Sequence, residues 1–232
     1  SKWDKYAGTD ILPFWVADMD FAMPEFIREA VLRRLEHPVV GYTRTPATLA
    51  EAFRTWLLRD YDWQVPDNWL VWLPGVVTGF NLAARATAVP GGNVVIPTPV
   101  YYPFLDVPGN AGQAGIQVPL VRDGQRWVMD FDALEAAITP ESRILLLFDE
   151  RARHVPVASL GPEIAARTIS LYAATKTYNI PGLSCGVAVI PDPDLRRRFK
   201  QAQAGLMPSI GPLEFAAAEA AFNDTGPWLP AL

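Results

Sequence analysis

Of the four lysines in this chain, Lys176 has a setting unlike the others. It lies in Leu171-Tyr-Ala-Ala-Thr-Lys-Thr-Tyr-Asn-Ile-Pro-Gly-Leu183, just beyond an apolar run that reads as a strand. Lys2, Lys5 and Lys200 sit among charged residues and read as solvated. A lysine desolvated at a strand end has its ammonium form destabilised, so its pKa falls toward neutrality. The free amine can then form a Schiff base with an aldehyde. An ordinary surface-loop lysine fits the same spacing.

Two further stretches could act with such an amine. In Leu73-Pro-Gly-Val-Val-Thr-Gly-Phe80, Pro and Gly open a helix whose first backbone N–H groups lack intrahelical acceptors. Small residues there let an anion approach, which makes a phosphate cup, although Pro-Gly turns before helices are common. In Ile96-Pro-Thr-Pro-Val-Tyr-Tyr-Pro-Phe104, an aromatic pair follows a strand, where ligands bind in open α/β sheets. A tyrosine there can stack on a flat aromatic ligand, or it can be core packing. Amine, phosphate cup and stacking ring together point to pyridoxal 5′-phosphate (PLP).

These residues need a scaffold, and the rest of the chain reads as one. Apolar spacing predicts helices over Pro24–Glu36, Thr48–Tyr61, Gly75–Thr87, Asp132–Ile138, Asp194–Ala204 and Leu213–Phe222, the fourth capped by an aspartate. Strands are predicted at Asn93–Ile96, Gln117–Val121, Ile144–Phe148, Thr168–Tyr172 and Val187–Ile190. Strands separated by helices predict a mainly parallel sheet covered on both faces. Arg151–Arg167 should cross from one strand to the next, yet its helical patterning is weak. Either a loop makes the crossover, or residues are missing between Phe148 and Arg151.

Composition narrows the class. Half of the 232 residues are hydrophobic and 19% are charged, too apolar for a disordered chain. A net charge of −5 without a basic block argues against a nucleic-acid partner. The longest apolar runs are too short to span a bilayer, and the charged start, Ser1–Tyr6, does not read as a secretory leader. One cysteine and two histidines leave no disulfide framework and little for a metal site. The expectation is a soluble, cytoplasmic α/β protein.

Phe14-Trp-Val-Ala-Asp-Met-Asp-Phe21, Gly41-Tyr-Thr43, Pro74-Gly-Val-Val77, Thr98-Pro-Val-Tyr-Tyr-Pro-Phe104 and Thr175-Lys-Thr-Tyr-Asn-Ile-Pro-Gly-Leu183 occur in this order. In these the chain resembles the fold-type I PLP enzymes, and within them the cystathionine β-lyase/cystalysin branch of the class I/II aminotransferase superfamily. The resemblance implies a three-layer α/β/α large domain with a mainly parallel mixed sheet. It makes Lys176 the Schiff-base lysine and gives the backbone amides of Val76 and Val77, after Gly75, to the cofactor phosphate. Thr175 stands where the family usually has serine and keeps a hydroxyl for that phosphate. Tyr101 would stack on the pyridine ring, and Tyr42 would reach the phosphate of a neighbouring subunit, which implies a homodimer with shared sites. Aminotransferases usually place an arginine eight positions after the lysine; Ser184 stands there and favours the lyase branch.

Two family pieces do not appear whole: an Asn-Pro loop, and a strand end whose aspartate pairs with the pyridinium nitrogen. Asp149 is either the remnant of that strand end or part of an unrelated loop. The expected organisation is an N-terminal segment contributing to the site (1–23), a PLP-binding large domain (24–225) with a numbering gap near 148–151, and the start of a C-terminal small domain (226–232) that the chain otherwise lacks. The implied activity is α,β-elimination on a sulfur-containing amino acid such as cystathionine or a cysteine S-conjugate. The alternatives are an aminotransferase and a non-catalytic regulatory protein of the same fold.

Overall fold

The computed structural model describes residues 2–148 and 154–231. The elements follow in chain order as α1 (Glu25–Leu35), α2 (Ala47–Tyr61), β1 (Leu70–Leu73), α3 (Val76–Thr87), β2 (Asn93–Thr98), α4 (Pro103–Asn110), β3 (Ala114–Pro119), β4 (Val121–Asp123), β5 (Arg126–Val128), α5 (Phe131–Ala137), β6 (Ser142–Leu145), α6 (Pro162–Ala165), β7 (Ser170–Ala173), β8 (Gly186–Val189), α7 (Pro193–Gln203) and α8 (Pro212–Phe222). They divide into two compact units. One is formed by Ser1–Phe53, Ala173–Cys185 and Ile210–Leu232, the other by Arg54–Tyr172 and Gly186–Ser209.

The second unit is the layered one. Its described strands form two three-stranded sheets, ordered β1-β8-β7 and β3-β2-β6, and a β4-β5 hairpin. β2 runs parallel to both neighbours, whereas β1 is antiparallel to β8. The five residues Asn93–Pro97 are buried without alternation, as a central strand covered on both faces requires. Val94 and Ile96 pack with Phe80 and Ala84 of α3 and with Phe104 and Val107 of α4. Val95 points to the opposite face, against Val118 and Leu134 of α5. Val71, Leu73, Ala188 and Ile190 pack on α3 and on Leu195 and Phe199 of α7. Burying a side chain such as Phe199 is worth about 1.5–3 kcal/mol, so these clusters hold the helices on the sheets.

The first unit joins α1 to α8. Ile27, Phe215 and Ala217 are buried, and the Phe53 and Phe222 rings meet edge-on at 5.0 Å. The segment before α1 has only a short 3₁₀ turn, Asp4–Tyr6. Lys2, expected in solvent, is buried. Its ammonium donates to the Asp18 carbonyl at 2.7 Å and pairs with Asp20 at 2.9 Å. A charge can be buried when it is so paired, and pairing over such a distance leaves no trace in local pattern.

The helix expectations hold to within two residues at either end, and most strands to within a few. Asp130, not a residue inside the helix, caps α5 by accepting from the Ala133 amide at 2.9 Å. The run expected as one strand at Gln117–Val121 is split. β3 ends at Pro119, and Val121 opens the hairpin that turns through Gly124 at φ 58°. The pattern gave no sign of β1, α4, β5 or α6. β1 is only four residues long, and α4 carries two prolines. Pro103 is tolerated because the first helical amide needs no partner. Between β6 and β7 the described residues hold a 3₁₀ turn, Val157–Leu160, and the single-turn α6, so no full-length helix makes that crossover among them. Among the described residues no helix is long and apolar enough to cross a membrane.

Candidate active site

Each candidate residue that the structure describes follows the C-terminal end of a strand or lies in a loop. After β1 the chain turns at Pro74-Gly75 into α3. Gly75 has φ 155° and ψ 162°, a region open in practice only to glycine. The Gly75 carbonyl is taken by the Gly79 amide at 3.2 Å, which leaves the Val76, Val77 and Thr78 amides without intrahelical acceptors. The helix dipole adds partial positive charge there, and open amides of this kind are what an anion can bind. Gly186 at the start of β8 makes the close packing behind this turn possible. A Cβ on it would stand 3.3 Å from the Gly75 carbonyl carbon and 3.3 Å from the Tyr172 carbonyl oxygen.

After β2 the Thr98-Pro99 peptide is cis, and Tyr101 and Tyr102 follow with their rings 5.2 Å apart. Tyr101 is 44% exposed, which separates it from the core packing that its sequence context also allowed. Val100 beside it and Val76 of the cup pack against the same α3–α4 cluster. Gly75, Val76, Val77 and Tyr101 thus all belong to the second unit, and Val76 and Val100 pack on one cluster within it.

Lys176, Thr175 and Tyr42 belong to the first unit. Lys176 lies in a tight turn in which Tyr178 N–H donates to Ala174 O at 3.1 Å, Asn179 N–H to Lys176 O at 3.3 Å and Ile180 N–H to Thr175 O at 2.9 Å. The lysine side chain is exposed, so the desolvation expected from its strand-end position is not supplied by this chain's own packing. Tyr178 anchors the turn: its hydroxyl donates to Asp224 at 3.0 Å, and its ring stacks on Trp228 and meets Phe26 edge-on. Tyr42 is fully exposed in the stretch between α1 and α2, and Ser184 is exposed at the far end of the lysine turn. Next to Ser184, burial pushes the Cys185 thiol up to about 12, with Glu214 adding to the shift. Asp149 lies outside the described residues.

Sequence reasoning passed over Asn179 and Gly186. Asn179 stood inside the quoted lysine motif, and its φ of 51° is a conformation that asparagine tolerates better than most residues. Gly186 carried no local signal.

A layered α/β unit with a Pro-Gly helix start after one strand, and in the other unit a lysine turn after β7, agree with the class to which the comparisons lead. The family described as aminotransferase class I and II matches residues 9–150, and the chain belongs to that family. It is 31% identical to cystathionine beta-lyase PatB of Bacillus subtilis (strain 168), with 100% of this chain and 71% of the relative covered. That alignment runs over 276 residues against the 232 of this chain, so the relative carries internal residues without a counterpart here. It is 27% identical to protein MalY of Escherichia coli (strain K12), covering 99% of this chain and 69% of that protein. Among solved structures, the crystal structure of OvoB matches with a TM-score of 0.93 and 34% identity, over 99% of this chain and 71% of that one. Cystalysin from Treponema denticola, described as containing a pyridoxal 5′-phosphate cofactor, matches with a TM-score of 0.91 and 25% identity, over 99% of this chain and 70% of that one.

Proposed function

We propose that this chain is a PLP-dependent carbon–sulfur β-lyase that acts by α,β-elimination on cystathionine or a cysteine S-conjugate and yields a thiol, pyruvate and ammonia. The observation that carries the reading is the likeness, along the whole chain, to a relative named cystathionine β-lyase. Ser184, in place of the arginine usual in aminotransferases, supports the lyase over the transaminase.

The residues present fit the cofactor. The free amides of Val76 and Val77 beyond Gly75 would hold its phosphate, helped by the Thr175 hydroxyl, and the exposed Tyr101 ring offers a face to the pyridine. Asp149 is assigned to the pyridine nitrogen. When bound, the cofactor supplies an aldehyde for the amine and an electron sink for the Cα carbanion. Lys176 then has two tasks: its Nζ holds the cofactor before substrate arrives, and afterwards takes the Cα proton as general base. With the Cα electron pair formed, the Cβ–S bond breaks and the sulfur leaves as thiolate; hydrolysis of the released enamine gives pyruvate and ammonia. Tyr42, fully exposed on its own chain, serves the phosphate of a partner in a cytoplasmic homodimer.

The test is incubation with cystathionine. Pyruvate formed without any keto-acid acceptor is the expected result, and Lys176→Ala should abolish it together with the borohydride-reducible cofactor. Turnover only in the presence of a keto acid would make the chain an aminotransferase. A cofactor-loaded protein that turns over no amino acid would point to a regulatory role.

A further inference from the structure

Asn179 holds together two segments that lie 160 positions apart in the sequence. Its side-chain oxygen accepts from the Met19 amide at 2.8 Å, and its side-chain nitrogen donates to the Met19 carbonyl at 3.0 Å and the Phe21 carbonyl at 2.6 Å. Both amide hydrogens and the oxygen are therefore used, so the carboxamide reads the N-terminal backbone much as a neighbouring strand would. The same stretch is also held by buried Lys2, which donates to the Asp18 carbonyl and pairs with Asp20. Asn179 itself sits in the left-handed region, three residues after Lys176, and its own amide donates back to the Lys176 carbonyl.

We infer that Asn179 is a positioning residue that docks the segment Ala17–Phe21 onto the Lys176 turn and so fixes the backbone from which the lysine amine is presented. The inference rests on the reading of Lys176 as the Schiff-base lysine. It also assigns a task to the N-terminal segment: its three backbone groups hold the carboxamide, and the carboxamide holds the turn. A lost carboxamide leaves one amide and two carbonyls of that segment without these partners, and the cost falls on local order more than on the buried core.

The test separates the side chain from the backbone conformation. Asn179→Gly keeps the positive φ accessible and removes the carboxamide; Asn179→Asp keeps the shape but aims a carboxylate at two carbonyl oxygens. For both holoenzymes we expect chymotryptic cleavage near the exposed Phe14 and Phe21 to run on the order of tenfold faster than in the unaltered protein. The pH midpoint of the visible band of the lysine-bound cofactor should shift. kcat should fall about 10- to 100-fold with KM within about twofold, as misplacement of a reacting group predicts. The melting temperature of Asn179→Gly should stay close to that of the unaltered protein. Cleavage rate and spectral midpoint both unchanged in a folded variant would overturn the inference, as would loss of activity that only tracks a fall in melting temperature. Borohydride reduction and peptide mapping of the unaltered protein test the underlying reading separately: a label on a lysine other than Lys176 overturns that reading, whatever the cleavage rates show.

Discussion

Gly186→Ala tests whether the phosphate cup depends on the close packing behind it. The added Cβ would meet the Gly75 carbonyl carbon at 3.3 Å, the Tyr172 carbonyl oxygen at 3.3 Å and the Gly75 Cα at 3.4 Å. All three are backbone atoms, so none can rotate away, and Gly186 is paired in register with Leu73 of β1. Overpacking of this kind costs about 1–3 kcal/mol. Replacing a strand glycine returns about 0.5–1 kcal/mol of backbone entropy, so the net cost is at most about 2.5 kcal/mol. The strain is relieved by pushing Gly75 outward, which moves the Val76 and Val77 amides. A hydrogen bond to a charged group is worth about 1.5–3 kcal/mol, so spoiling one should weaken PLP binding about tenfold or more. Urea unfolding followed by tryptophan fluorescence reads the first effect, and PLP titration reads the second. Leu134→Ala is the control. It opens a cavity beside Val95 and Val118, away from the cup, and should cost about 2–5 kcal/mol with no change in PLP affinity. A Gly186→Ala protein that loses stability but keeps full PLP affinity, as the control does, would refute the reasoning.

Tyr101→Ala should weaken PLP binding by a factor corresponding to about 0.5–1.5 kcal/mol while leaving the melting temperature nearly unchanged, because the ring is largely out of the core. A large fall in melting temperature with intact affinity would make it a packing residue. Burial holds the Cys185 thiol neutral up to about 12, above its ordinary 9.0. The stability this contributes is complete below about pH 9 and is lost as pH rises toward 12, at up to about 1.4 kcal/mol per pH unit. Disulfide-exchange reagents at pH 8 should leave the native thiol unlabelled and label it fully in denaturant; rapid native labelling would contradict the burial. Mixing Lys176→Ala protomers with Tyr42→Phe protomers should restore one intact site per heterodimer and raise activity above the sum of the parents. No gain under conditions of demonstrated subunit exchange would remove Tyr42 from the shared site.

The sequence by itself carried what short-range chemistry encodes. Apolar spacing placed α1, α2, α3, α7 and α8, because a helix that buries one face must repeat every three to four residues. The unbroken apolar run at β2 announced a strand buried on both faces. Pro74-Gly75 before α3 declared a helix start with open amides, and the motif around Lys176 singled out one lysine of four. Only the tertiary structure decided that β1 runs antiparallel to β8, that Gly186 must be small because Gly75 lies against it, and that Lys2 is buried on Asp18 and Asp20. It alone joined Asn179 to Met19 and Phe21. Such contacts link residues far apart in the chain through single hydrogen bonds or close approaches. They have no period, so no local window of sequence contains both partners.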